Sequence, residues 1–259
     1  MTAIELGAIA AAAVAGLMFV LWLIHLAIRN ASIVDPGWAI GTASTAAIYG
    51  ALGPGLLLRR QLIAAMAVFW GIRLALHLLG RIVGHPEEGR YVQLRQEWGS
   101  RVELKFLAFF LFQAALCVIL SAPFLAAAMN PAPELSLLEY AGLGLFAAAV
   151  IGESVADWQL NRFKSKPASK GKTCREGLWR YSRHPNYFFE WMIWAAWAVF
   201  ALASPGGWIG LLSPALMLYF LFRVTGIPAT EAQSLRTKGD DYREYQRTTS
   251  AFVPLPPRA

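Results

Sequence analysis

The feature that most constrains this chain is a series of seven apolar runs, at roughly 4–28, 36–58, 61–80, 104–128, 137–160, 186–203 and 205–225. Each is close to the ~20 residues that a helix needs to cross about 30 Å of hydrocarbon. In lipid every backbone N–H and C=O must find a partner inside its own segment, so these runs are expected to be helices despite many β-branched and aromatic residues. Composition agrees: 57% of the residues are hydrophobic and 15% charged, more apolar surface than one soluble core of 259 residues can bury. The expected fold class is all-α, a polytopic membrane protein of seven transmembrane helices with no separate soluble domain. The first run lacks a basic leader and a small-residue cleavage site after a turn, and it reads as a retained helix rather than a signal peptide.

A net charge of +7 raises the question of nucleic acid, but the basic residues sort by topology instead. With the N-terminus outside, the inner segments hold Arg29, then Arg81, Arg90, Arg95, Arg101 and Lys105, then eight from Arg162 to Arg183, and five in the tail. That is 19 of 23, against Arg59 and Arg60 on the other side and Arg73 and Arg223 within spans. The excess follows the positive-inside rule, with an extracytoplasmic N-terminus and a cytoplasmic C-terminus, a pattern that suits a bacterial inner membrane. Membrane lipid is the expected polyanionic neighbour, with no nucleic acid. Cys117 in a span and Cys174 in a basic loop form neither a disulfide framework nor a metal-ligand spacing, and no metal is expected.

The connections at 129–136 and 204–208 are short, rich in Pro, Gly, Asn and Ser, and free of Lys and Arg, as in tight hairpins. The longer ones are polar: 81–103, expected to be partly helical after Pro86; 161–183, expected to be an irregular basic loop; and a tail from 228 with a helical pattern that ends in Pro254–Pro257.

Charged residues inside apolar spans cost several kcal/mol and are functional candidates by default. They are Glu153 and Asp157, four apart on one helical face, Glu190, and Arg73 with His77. A structural ion pair with Arg223 or Arg73 is an equally open reading of the acidic pair. The densest constellation is Gly177-Leu-Trp-Arg180-Tyr181-Ser-Arg183-His184-Pro185-Asn186-Tyr187-Phe-Phe-Glu190. Pro185 suits the first turn of a helix, where its missing N–H has no acceptor to lose. A helix start flanked by Arg180, Arg183 and His184 attracts an anion such as phosphate. Asn186 and Glu190 share one face of that helix and reach deeper. Singly, Tyr187 reads as an interfacial aromatic and His184 as a solvated loop residue; the argument rests on their coincidence. GxGxxG, HExxH, paired CxxC and GxSxG patterns are absent, and the four histidines are scattered, so no Rossmann unit, metalloprotease, hydrolase or di-iron centre is expected.

With these residues in view, the chain resembles the steroid 5-alpha reductase family, including its bacterial branch. The similar features are Asn30-Ala-Ser-Ile-Val-Asp35-Pro-Gly-Trp38, Trp70-Gly-Ile-Arg73, Arg90-Tyr91, Glu153-x-x-x-Asp157, the 177–191 segment, Gly226-Ile-Pro-x-x-Glu231 and Tyr242-x-x-Tyr245. The resemblance implies a 3-oxo-5-alpha-steroid 4-dehydrogenase, an NADPH-dependent reductase of the 4,5 double bond of a 3-oxo-4-ene steroid or similar lipophilic enone, acting as a monomer. It implies that residues 1–128 enclose the substrate and that 129–259 bind NADPH. The cofactor residues carried over are Glu153, Asp157, Lys164, Arg180, Tyr181, Arg183, His184, Asn186, Tyr187, Glu190, Arg223, Glu231 and Tyr245, with Lys164 and Arg183 as candidates for the 2′-phosphate. Asp35 and Glu190 are the implied catalytic residues, and Asn30, Trp38, Trp70, Arg73 and Tyr91 the implied substrate residues. Trp70 stands where mammalian members carry a Tyr, and an indole cannot act as a phenolic acid.

Two other readings share parts of this pattern. The Arg-His-Pro-x-Tyr core also occurs in isoprenylcysteine carboxyl methyltransferases, membrane enzymes that use S-adenosylmethionine. A non-catalytic sterol or lipid binder is the third.

Overall fold

The computed structural model describes residues 1–258, which are helical throughout their ordered elements and contain no strand. The α-helices are α1 (Ala3–Ile28), α2 (Val34–Leu52), α3 (Leu57–Ile82), α4 (Gly89–Trp98), α5 (Val102–Leu120), α6 (Ala122–Met129), α7 (Leu137–Lys164), α8 (Pro185–Ala201), α9 (Leu212–Arg223), α10 (Ile227–Lys238) and α11 (Asp240–Thr248). Short 3-10 turns precede α2 at Ala31–Ile33, α8 at Gly177–Arg180 and α9 at Gly207–Leu211.

Five stretches are long and apolar enough to cross a membrane: α1, α3, α5, α7 and the run Gly207–Lys238. The protein is thus an integral membrane protein by its helices. The expected second and sixth spans form helices at their places, α2 and α8, yet α2 carries Asp35 with several Gly, Ser and Thr residues, and α8 has only 17 residues. The expected fourth span is broken in two. Ser121 turns its hydroxyl back to the Val118 carbonyl at 2.7 Å, and Pro123 has no N–H to continue the ladder, so α5 stops and α6 starts afresh.

The chain divides into two compact units, one of Met1–Ser136 with Phe200–Gly210, the other of Leu137–Val199 with the chain from Leu211 onward. The first begins with a capping box in which Thr2 accepts the Glu5 N–H at 3.2 Å and its own N–H donates to Glu5 at 2.9 Å. One stripe of α1, Leu6, Ala10, Val14, Met18 and His25, is buried, and the exposed face is left to lipid. Between α2 and α3, Gly71 permits an approach that a side chain forbids: a Cβ there meets the Ala39 carbonyl at 2.8 Å and Ala43 at 2.6 Å. The first unit extends past the expected boundary at 128 because Arg59, 1% exposed, donates to the carbonyls of Asn130 at 2.9 Å and Ala132 at 2.8 Å and to that of Glu134. Arg59, counted from the sequence only as a basic residue of the extracytoplasmic side, is the clasp of that turn.

In the second unit the tail folds back. Phe252 packs on Phe188, Trp191 and Phe222, with ring centroids 5.2 to 6.0 Å apart, and Leu221 and Ile227 complete that cluster. The Trp191 indole donates to the Pro214 carbonyl at 2.9 Å, fixing α8 to α9. The expected helix after Pro86 and the expected helical tail are α4 and α10–α11.

Candidate functional site

In the second unit the site grows from α7. Within and just past its acidic pair, the Trp179 indole donates to the Ala156 carbonyl and the Leu178 N–H to the Gln159 side chain, each at 2.8 Å. These bonds pin the 3-10 turn at Gly177–Arg180 against the helix. Gly177 has φ of +58°, and a Cβ there lies 2.3 Å from the Gln159 side chain, so only glycine fits. The chain then enters α8 at Pro185, where the sequence placed the start. Ser182 accepts the His184 N–H at 3.1 Å while donating to the Phe252 carbonyl at 2.7 Å, a hydroxyl that fixes the turn ahead of the helix and ties down the tail at once.

The cations flanking this start are committed to a carboxylate. Arg183 Nε donates to Glu231 Oε1 at 2.7 Å, His184 Nε2 lies 3.2 Å from the same oxygen, and Gln246 donates to Oε2 at 2.7 Å. Arg183 also donates to the carbonyls of Gln246 at 3.0 Å and Thr249 at 2.6 Å. The Arg183, His184 and Glu231 side chains are 12%, 3% and 15% exposed. Burial pushes the Glu231 carboxyl up, but the hydrogen bonds from His184, Arg183 and Gln246 outweigh it and bring its pKa down to about 2. α10 turns polar after its first turn, so Glu231 lies beyond the apolar part of the Gly207–Lys238 run. Tyr245 directs its hydroxyl at the carbonyls of Trp179 and Ser182, so this phenol holds backbone together.

Further along α8, the Asn186 amide donates to Asp157 Oδ1 at 3.2 Å, joining two residues that the sequence grouped. Tyr187 stacks on His184 with centroids 5.3 Å apart, and its hydroxyl meets Thr230 at 3.1 Å. Glu190 accepts from the Trp194 indole at 3.1 Å, and Glu153 is buried. Lys164, Arg180, Tyr181 and Arg223 are exposed.

In the first unit the segment before α2 is held by the segment around α4. Asn30 caps the turn by accepting the Ser32 N–H at 3.0 Å; Glu87 accepts the Ala31 N–H at 2.7 Å; the Glu88 N–H donates to Ser32 Oγ at 2.9 Å. Asp35 pairs with Arg90, and the buried Tyr91 hydroxyl donates to Asp35 Oδ1 at 2.7 Å. Burial, and then the Asp35 charge, raise the Tyr91 phenol above its ordinary value. Trp38 and Trp70 meet edge to face at 5.7 Å, and Arg73 is one turn beyond Trp70 on α3.

Sequence reasoning missed the bracing behind this cluster. Arg95 bridges Glu87 at 3.0 Å and Glu103 at 2.8 Å, and Glu103 meets the buried His25 at 2.8 Å. Burial raises the Glu87 carboxyl, but the Arg95 and Ala31 hydrogen bonds prevail and hold it below its usual value. The adjacent carboxylates Glu87-Glu88 just ahead of α4 were the available signal.

An all-helical membrane protein with these two clusters is matched over residues 21–249 by the family described as "Protein of unknown function (DUF1295)". The chain belongs to that family, which is steroid 5-alpha reductase-like. It is 28% identical to the uncharacterized protein C594.04c of Schizosaccharomyces pombe, over 91% of this chain and 76% of that one. It is also 36% identical, over 90 residues, to a protein of Ustilaginoidea virens named "Probable O-methyltransferase ustE", a match that spans 35% of this chain and 30% of that one. No solved structure matches.

Proposed function

We propose that the protein is an NADPH-dependent reductase of the carbon–carbon double bond of a lipophilic enone, a 3-oxo-4-ene steroid or a molecule of that shape. The observation that carries this reading is the buried Tyr91 phenol on the Asp35 carboxyl, 2.7 Å apart and clamped by Arg90. Reducing an enone at its β-carbon builds negative charge on the carbonyl oxygen, and a proton-donating pair beside that oxygen stabilises the charge. With Trp70 unable to donate from a phenol, Tyr91 is the residue that supplies one. The Tyr91 phenol donates this hydrogen bond from within a largely apolar cluster of buried side chains. Asn30 holds the backbone that leads to Asp35, and Trp38 and Trp70 offer flat apolar walls.

The donor set of the second unit fits a dinucleotide. Exposed Lys164 and Arg180 offer charge to phosphates, Asn186 and Asp157 offer an amide and a carboxyl, and Tyr187 offers a ring face. When bound, NADPH supplies the hydride. Arg183, His184, Glu231 and Tyr245, which are occupied with one another and with backbone, act as positioning residues for the start of α8. In this reading the phosphates fall to the exposed cations rather than to Arg183.

The partial match to a methyltransferase favours a second reading, methyl transfer from S-adenosylmethionine to a lipophilic acceptor. The two separate by thermal stabilisation of the detergent-solubilised protein. The reductase reading expects a higher midpoint with NADPH and none with S-adenosylmethionine; the reverse pattern replaces it.

A further inference from the structure

In the second unit a cavity of about 180 Å³ opens between the end of α7, the loop that follows it, and α10. Its lining combines apolar residues, Leu160 and Phe163, with four lysines, Lys164, Lys170, Lys172 and Lys238. No carboxylate lines it. Among the described residues none of the four lysines makes an ion pair, whereas their neighbours outside the cavity do: Lys166 with Glu176 and Arg175 with Asp241, each at 3.0 Å. Four lysines therefore line one small space with no ion-pair partner of their own, and the acid nearest to Lys238, Asp241, is engaged by Arg175 and by the Thr173 N–H.

The loop is built to hold that arrangement. A 3-10 turn at Pro167–Ser169 leads to Gly171, whose φ of +76° turns the chain so that Lys170 and Lys172 flank it. The Lys172 N–H donates to the Ser169 carbonyl at 2.9 Å, and the Thr173 N–H donates to Asp241 at 2.7 Å, tying the loop to α11. Lys238 comes from a different element and has its ammonium 5.5 Å over the Tyr242 ring. Burial, and then the nearby Lys164 charge, hold its pKa below the usual lysine value, a strain that a bound anion relieves.

We propose that this cavity is a binding site for a phosphate group, carried by a dinucleotide or by the headgroup of an anionic phospholipid. Lysines act as point charges toward phosphate, and apolar residues in the same lining suit an anion that continues into an adenosine or a glycerolipid. In its dinucleotide form the proposal rests on the reductase reading; the cavity itself does not.

Cys174 lines the cavity, which makes it a reporter; it is buried and its thiol is pushed up by burial, so its modification is slow to begin with. The full chain in detergent is labelled with a small maleimide in the presence and absence of inorganic pyrophosphate, and modification of Cys174 is followed by peptide mass spectrometry with the buried Cys117 as internal reference. Pyrophosphate is expected to slow Cys174 labelling about tenfold, and K170Q/K172Q, both on the exposed loop, to raise the concentration needed about tenfold. K238Q carries the same expectation from α10, so a distorted loop alone cannot produce the result. Protection by NADPH at lower concentration than by NADH identifies the 2′-phosphate; protection only in nanodiscs that contain phosphatidic acid, against phosphatidylcholine alone, identifies lipid. Unchanged Cys174 labelling with every one of these phosphates overturns the proposal. NADPH oxidation with an unprotected Cys174 removes the cavity and leaves the reductase, and protection by pyrophosphate without NADPH oxidation does the reverse.

Discussion

The two units anchor a polar segment to a helix start in the same way, with arginine and carboxylate, but at different depths. Around Asp35 the arginines stand in water, Arg90 48% exposed and Arg95 28%, and the carboxylates reach inward to backbone N–H groups. Around Pro185 the histidine is buried, and the arginine and the carboxylate are largely covered, at 12% and 15% exposed. An exposed pair is screened and holds position cheaply, whereas a covered set is costly to disturb because any member removed strands the others. The first cluster can therefore yield its groups to a ligand, and the second is fitted to hold α8, the tail and the 177–184 turn in register.

The largest expected effect tests that contrast directly. Glu231→Ala leaves Arg183 and His184 without their shared acceptor and is expected to cost roughly 3–5 kcal/mol, read as a lowered thermal midpoint in detergent. A midpoint close to the parent protein's removes the distinction between the clusters. Next comes Tyr91→Phe, which is expected to lower kcat for an enone about a hundredfold while shifting the midpoint little; an equal loss in kcat and stability makes Tyr91 a structural residue only. Gly177→Ala forces a side chain into a left-handed backbone against Gln159 and is expected to destabilise by about 1–3 kcal/mol. The smallest effect belongs to the exposed pair: Arg90→Gln is expected to cost under about 1 kcal/mol, less still in high salt.

pH acts on both clusters in the same direction. Glu231 titrates near 2 in the folded chain against 4.5 when unconstrained, so its contribution is complete above about pH 4.5 and fades as pH falls toward 2. Glu87 is shifted in the same direction and contributes with the same sign. Thermal midpoints measured from pH 6 to 3 are expected to fall more steeply for the parent than for Glu231→Gln, which has no carboxylate there to protonate; parallel curves contradict the assignment.

Much of the architecture is written in local pattern. The apolar runs mark every long helix, Pro185 marks the entry to α8, and Pro86 precedes α4. Ser121 is different: the run 104–128 is apolar but for Lys105, Gln113 and Ser121 itself, and only Pro123 and the serine hydroxyl aimed at Val118 divide it. Arg59 shows the limit more sharply, since a charge between two apolar runs counts only toward topology until the 130–134 turn is seen folded over it. In the second unit the sequence names Arg183, His184, Asn186, Asp157 and Glu231 but not their pairing. That Glu231 takes up both cations, across 47 and 48 residues of chain, is set by how α10 packs. The Glu87, Arg95, Glu103 and His25 relay is likewise a product of tertiary contact, joining α1, α4 and α5 over as many as 78 residues. The lysine cavity escaped because eight basic residues in one loop look alike until their acids are assigned.

The central claim, reduction of an enone by NADPH, is tested most directly by following NADPH absorbance with the purified protein in liposomes and a panel of 3-oxo-4-ene steroids such as progesterone and testosterone. The account predicts steroid-dependent NADPH loss, with formation of a product two hydrogens heavier that Tyr91→Phe largely abolishes. No consumption with any enone, together with methyl transfer from S-adenosylmethionine to a lipophilic acceptor, contradicts it.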